Sequence, residues 1–210
     1  MLDHQQGASW ASSAPSGHVS DSTFFLRAWL QAPLRTGAQA PSSRYLARAM
    51  AAAVDPASPG KVIELGPGTG AVTRALVERG VDPARLVLVE ANKEFCGLLR
   101  ARYPEAQILP YDAYAAPRLL RRMGIGPVAA IVSGLPLLTQ APARRQRLLL
   151  ECLQLAAQGA PFVQFTYLYR SPIPLRPGVV ATDASPIVWR NLWPARVWSY
   201  RLPAGQPTEA

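Results

Sequence analysis

From Lys61 to Tyr169, short apolar runs alternate with longer amphipathic stretches. Alternation of this kind dictates a mainly parallel sheet with helices on both faces. KVIEL (Lys61–Leu65) predicts a buried strand and Ala71–Gly80 a helix ended by its glycine. Arg85–Glu90 predicts a second strand, and Asn92–Tyr103 a helix that Asn92 can cap. QILPYD, Pro127–Leu135 and Phe162–Tyr169 continue as strands, with helices around Ala115–Met123 and over Ala141–Ala157. The alternation then breaks. Ser171–Pro186 is rich in proline and reads as a loop, while IVWRNLW and RVWSYRL, parted by Pro194-Ala195, predict a closing antiparallel hairpin. The expected fold is α/β, a seven-stranded, mostly parallel Rossmann-like sheet with a C-terminal antiparallel hairpin.

Ahead of the sheet, residues 1–20 are small and polar and read as a disordered leader. They have neither the basic start nor the apolar core of a signal segment, so the chain is expected in the cytoplasm. Residues 21–58 carry two amphipathic helices, expected to serve as a membrane-docking element and a lid. In Asp21–Ala32, Phe25, Leu26, Trp29 and Leu30 share one arc, Arg27 lies on the other, and Pro33 ends the pattern. An aromatic face beside arginine suits a membrane interface, although a helix packed on its own domain shows the same pattern. Ser42–Val54 follows, with Leu46, Ala49, Met50 and Ala53 at core spacing. Residues 59–203 form the expected catalytic domain and 204–210 a tail.

Charge bounds the partners. Lys+Arg 22 against Asp+Glu 13 gives a net +9, nearly all of it arginine, so anionic surfaces and phosphate-bearing substrates attract this chain. Cys96 and Cys152 are expected as buried free thiols, and both histidines, His4 and His18, lie in the leader, so no metal site is expected.

The chemistry gathers at the strand ends. Gly66, Gly68 and Gly70, with Thr69 between them, form GxGxG, where backbone amides can approach a ligand closely. Glu64, just before this turn, would repel a pyrophosphate and favours a sulfonium or an ammonium. Glu90, with Ala91 behind it, ends the second strand, where an acid can accept both hydroxyls of a ribose. Asp112, followed by Ala113, ends the third and can accept from an adenine amino group. Ser133-Gly134-Leu135-Pro136 ends the fourth, beside the point where open sheets bind ligands. The ordered set fits S-adenosylmethionine better than NAD.

VIELGPGTGAVT, LVLVE, YDA and the strand-4 loop resemble the class I methyltransferases related to rRNA adenine dimethyltransferases. Four further stretches are similar to bacterial phospholipid N-methyltransferases: GAQAPSSRYLARAM (Gly37–Met50), VSGLPLL (Val132–Leu138), FVQFTY (Phe162–Tyr167) and NLWPARVWSYR (Asn191–Arg201). The resemblance covers roughly Phe24 to Arg201. The resemblance implies methylation of phosphatidylethanolamine and its mono- and dimethyl forms towards phosphatidylcholine, with S-adenosyl-L-homocysteine as co-product. It also implies that Glu64, Gly66, Gly68, Thr69, Gly70, Glu90, Ala91, Asp112, Ala113 and Ser133 hold the cofactor. Asn191–Pro194 departs from the proline pair usual at that point.

Two acceptor classes separate at the fourth strand. Enzymes that methylate an adenine amine present an acid or amide there and stack the base on an aromatic. Here Ser133 and Leu137 stand in those places. An aliphatic ammonium instead has to lose a proton, which costs roughly 4 kcal/mol at pH 7, and then needs alignment for in-line displacement. Tyr45, Ser133 and Tyr167 are the candidate catalytic groups, and Arg44, Leu135, Arg170 and Arg190 the candidate lipid contacts. The expected enzyme works at the inner face of the plasma membrane on anionic lipid surfaces, without nucleic acid. rRNA adenine methylation, ornithine-lipid methylation and a non-catalytic membrane module are the alternatives.

Overall fold

The computed structural model describes residues 41–203 apart from 176, 177, 179, 192 and 193. The leader, the Asp21–Ala32 stretch and the tail lie outside the described residues. The elements run α1 (Pro41–Ala52), β1 (Lys61–Leu65), α2 (Ala71–Glu78), β2 (Leu86–Glu90), α3 (Lys93–Arg102) and β3 (Gln107–Pro110). They continue through α4 (Ala116–Arg122), β4 (Val128–Ser133), α5 (Pro142–Leu153), β5 (Phe162–Thr166), β6 (Ala181–Ala184) and β7 (Arg196–Arg201).

Seven strands form one sheet in the order β3-β2-β1-β4-β5-β7-β6. β1 to β5 are parallel, and β7 runs antiparallel to both β5 and β6. Strand residues alternate between two cores. Val62, Leu88 and Val132 pack beneath α1, α2 and α3 against Met50, Leu76 and Leu99. Ile63, Val89 and Ile131 pack beneath α4 and α5 against Leu120, Leu149 and Leu153. Because helices cover both faces, LVLVE and VAAIVS are buried at every residue, which explains their unbroken apolar runs. Asn92 caps α3 as expected, its Oδ1 accepting from the amides of Glu94 and Phe95 at 2.8 and 3.3 Å. Cys96 and Cys152 are buried free thiols, and burial pushes both up. No helix among the described residues is long and apolar enough to cross a membrane.

The C-terminal pairing differs from the expected hairpin. β7 is where RVWSYRL predicts it, but its partner is Ala181–Ala184, inside the stretch expected to be a loop. Among the described residues of the stretch 187–193, Val188 makes an isolated bridge to Ala195. ATDA escapes a periodicity reading because it is an edge strand with all four residues exposed. Backbone pairing to β7 and the Asp183–Arg201 ion pair at 3.1 Å hold it, with no buried face. The start of the proline-rich stretch is also anchored. Ile173 is buried, Ser171 Oγ lies 2.7 Å from the Tyr200 hydroxyl, and Arg145 donates to the Pro172 carbonyl.

Candidate functional site

The strand order reverses between β1 and β4, so their carboxyl ends open the crevice where such sheets bind ligands. β1 feeds the Gly66–Gly70 turn, closed by a bond from the Gly70 amide to the Pro67 carbonyl at 2.9 Å. The turn is locked against β4 backbone to backbone. The Gly134 amide donates to the Leu65 carbonyl at 2.8 Å, and a Cβ on Gly134 would stand 2.7 Å from the Gly66 carbonyl oxygen. Gly68 differs: it sits at φ +55° and a Cβ there would meet nothing within 4 Å. That open side is where a ligand can lie against main chain.

Glu90 organises the turn. Its Oε2 accepts the Gly68 amide at 3.0 Å and its Oε1 accepts the Asn92 amide at 2.9 Å. Each carboxylate oxygen retains a lone pair, so the group can still accept a pair of vicinal hydroxyls. The Tyr111 amide donates to the Glu90 carbonyl at 3.1 Å, which brings the end of β3 beside the end of β2. Asp112 is exposed there. Its Oδ1 accepts from the Tyr114 amide at 3.0 Å, and its Oδ2 lies 4.0 Å from Arg144. Ala113 is buried, Ala91 is exposed, and the Thr69 carbonyl accepts from Arg102 at 3.0 Å.

Glu64 is 1% exposed and accepts from Thr73 Oγ1 at 2.7 Å. Burial drives its carboxyl up to about 7, against the pull of the Thr73 hydrogen bonds, and the nearby Glu90 charge adds to the rise. A buried carboxyl of this kind attracts a cationic ligand, whose charge would favour the ionised form. The open side of Gly68, the Glu90 acceptor pair and Glu64 therefore suit a ligand that combines a ribose with a positive centre. Among the described residues, no group of three or more His, Cys, Asp or Glu side chains comes together as a metal site would require.

At the end of β4, Ser133 is fully buried and its Oγ accepts from the Leu135 amide at 3.4 Å. Leu135 covers the turn, its Cδ2 lying 2.9 Å from where a Cβ on Gly66 would be. The Leu135 carbonyl is fixed by Gln164 Nε2 at 3.1 Å. Gln164 is a residue that sequence inspection misses, because it sits in an apolar strand and its role depends on β4–β5 register. Thr73 is missed likewise. Its signal is the threonine three places after Gly70, which returns to the Glu64 carboxyl one helical turn on.

Tyr45 comes together with two of the candidate arginines. Arg44 Nη2 lies 3.4 Å from the Tyr45 hydroxyl, and the Arg44 and Arg190 guanidinium carbons stand 5.1 and 5.8 Å from the ring centre. Arg44, then Arg190, lower the Tyr45 pKa below its ordinary value. Tyr167 behaves oppositely: burial pushes it up to about 12, with Asn191 at its hydroxyl pulling the other way. Arg170 is exposed beyond β5, outside the Tyr45 cluster. A cavity of about 210 Å³ between α1 and α2 is lined by Arg44, Arg48, Arg74 and Glu78, and the glycine turn does not border it.

No family model matches the chain. It is 28% identical over 152 residues to an ornithine lipid N-methyltransferase of Singulisphaera acidiphila, covering 70% of this chain and 79% of that one. It is 44% identical over 52 residues to ribosomal RNA small subunit methyltransferase A of Maridesulfovibrio salexigens, covering 25% of this chain and 19% of the relative. An O-methyltransferase from Bacillus cereus, solved in complex with SAH, superposes with a TM-score of 0.60 at 14% identity, covering 89% and 93% of the two chains. The fold is that of the class I methyltransferases.

Proposed function

We propose that this chain is an S-adenosylmethionine-dependent N-methyltransferase that acts on the amine of phosphatidylethanolamine and its partly methylated forms. The carrying observation is Tyr45, set between the Arg44 and Arg190 guanidiniums. A primary-amine headgroup has a cation tethered to an anion. Two guanidiniums bind the phosphodiester through charge-assisted hydrogen bonds, and their positive charge disfavours the ammonium, which is the form that cannot attack.

Gly68, Glu90, Asp112 and Glu64 would hold the cofactor, which when bound supplies an electrophilic methyl group on a sulfonium. The chain's own work is to hold the amine, remove its proton and exclude water. Tyr45 is the best proton acceptor, since its arginine neighbours favour the phenolate. Tyr167 stays protonated and can only orient through its hydroxyl. The strand-4 loop, fixed by Gln164, offers carbonyl oxygens as acceptors for the amine hydrogens. It has no aromatic to stack on a nucleobase.

A second substrate has specific support. The relative of Singulisphaera acidiphila is named for ornithine lipid, and that lipid carries a carboxylate where phosphatidylethanolamine has its phosphodiester. Either anion suits a guanidinium pair. Replacing both Arg44 and Arg190 by alanine is expected to raise KM for phosphatidylethanolamine about 10–100-fold, the worth of one to two charge-assisted hydrogen bonds. Cofactor affinity, measured by calorimetry, should not move. Unchanged KM would remove the arginine pair from headgroup binding, and preferential turnover of ornithine lipid would reassign the substrate.

A further inference from the structure

Among the described residues, the three most exposed large apolar side chains are Leu168, Tyr169 and Trp189, at 52%, 69% and 67%. They are not scattered. Leu168 and Tyr169 follow β5, and Trp189 precedes β7, whose first residue pairs with the last residue of β5. Leu138, also exposed, follows β4 on the same carboxyl edge of the sheet. The two loops are tied together where Asn191 meets the Tyr167 hydroxyl. Arg44, Arg170 and Arg190 are exposed beside them. Asp112, an exposed acid that follows β3 at the far end of the same carboxyl edge, already faces Arg144 at 4.0 Å.

We infer that this edge docks on an anionic phospholipid bilayer, with Leu168, Tyr169 and Trp189 seated in the headgroup layer. Apolar and aromatic tips flanked by arginine match that layer in both polarity and charge. Trp189 adjoins Arg190, which stands over the Tyr45 ring, so a headgroup amine could reach the crevice while its acyl chains stay in the membrane. The inference rests on the lipid-amine function for its purpose. It concerns a surface of the sheet domain and not the Asp21–Ala32 stretch.

The test places an environment-sensitive thiol dye on the full chain. Cys96 and Cys152 are buried, so a Leu168→Cys variant labels selectively at the edge. Met123→Cys, 42% exposed beyond the end of α4 and on the opposite edge of the sheet, is the control. Vesicles of phosphatidylglycerol and phosphatidylcholine should blue-shift the dye at 168 and leave it unchanged at 123. The Leu168→Ser, Tyr169→Ser, Trp189→Ser variant should bind those vesicles at least about tenfold more weakly, with unaltered turnover of monomeric dihexanoyl-phosphatidylethanolamine. The docking surface is overturned if the protein binds vesicles with no shift at 168, if both dyes shift alike, or if an rRNA fragment and not vesicles produces the shift. Vesicle docking with no methylation of the short-chain lipid would instead reject the substrate and leave the docking surface standing.

Discussion

Replacing Glu90 by glutamine is expected to abolish useful cofactor binding while leaving the chain folded. The substitution looks conservative and is not. Both carboxylate oxygens accept backbone amides, Oε2 from Gly68 at 3.0 Å and Oε1 from Asn92 at 2.9 Å. A glutamine amide must turn its NH2 towards one of them, so that a donor faces a donor. Leaving a partly buried amide without a partner costs about 1–3 kcal/mol. For a chain of this size that lowers the unfolding midpoint by several degrees. The larger effect is on the ligand. In the proposed site the ribose would lose a charged acceptor, and the Gly68 amide would no longer hold the turn open at its one unobstructed side. Titration calorimetry with S-adenosylmethionine should show affinity reduced by about a hundredfold or more, the sum of the lost charge-assisted bond and the turn's displacement. Affinity within threefold of the parent would show that Glu90 serves the turn alone.

Glu64→Gln should separate stability from function through pH. Burial raises the Glu64 carboxyl from its ordinary 4.5 to about 7. Between those values the folded chain keeps a proton that the unfolded chain has released. The associated stability is therefore fully present below pH 4.5 and is lost as pH rises through 7, reaching about 3 kcal/mol. Glutamine cannot ionise and still accepts from Thr73, so thermal midpoints of the variant, measured from pH 5 to 8, should lack this decline. At pH 8 the variant should equal or exceed the parent. Cofactor binding should move in the opposite direction. A sulfonium or ammonium near Glu64 favours the carboxylate, so parent affinity should weaken towards tenfold per pH unit below 7. The variant should bind about 10–100-fold more weakly at pH 8, with a flat profile. A variant that still loses stability between pH 5 and 7 would remove Glu64 as the titrating group.

What the sequence discloses depends on where each residue's partners lie. The parallel core was legible because β2 and β4 are covered on both faces, which forces apolar runs such as LVLVE. The placement of the glycine turn and of Glu90 was legible because both lie at consecutive strand ends. β6 was not: ATDA is exposed at all four residues and is held by the backbone of a strand twelve residues further on. Gln164 shows the same limit inside the site. It looks like a polar interruption of an apolar strand until β4 is placed beside β5, when its amide reaches the Leu135 carbonyl. The Tyr45 cluster joins residues from α1 and from the loop before β7. Its members could be named singly from sequence, but their meeting is a tertiary fact.

The central claim is that the methyl group goes to a lipid amine. The most direct measurement supplies methyl-labelled S-adenosylmethionine to the full chain with a mixture of phosphatidylethanolamine vesicles and 16S rRNA, and then partitions the product. Label should enter the organic phase, migrate as N-methylated phosphatidylethanolamine and be absent from precipitated RNA. Label confined to RNA, or none in lipid under conditions where the cofactor binds, would contradict it.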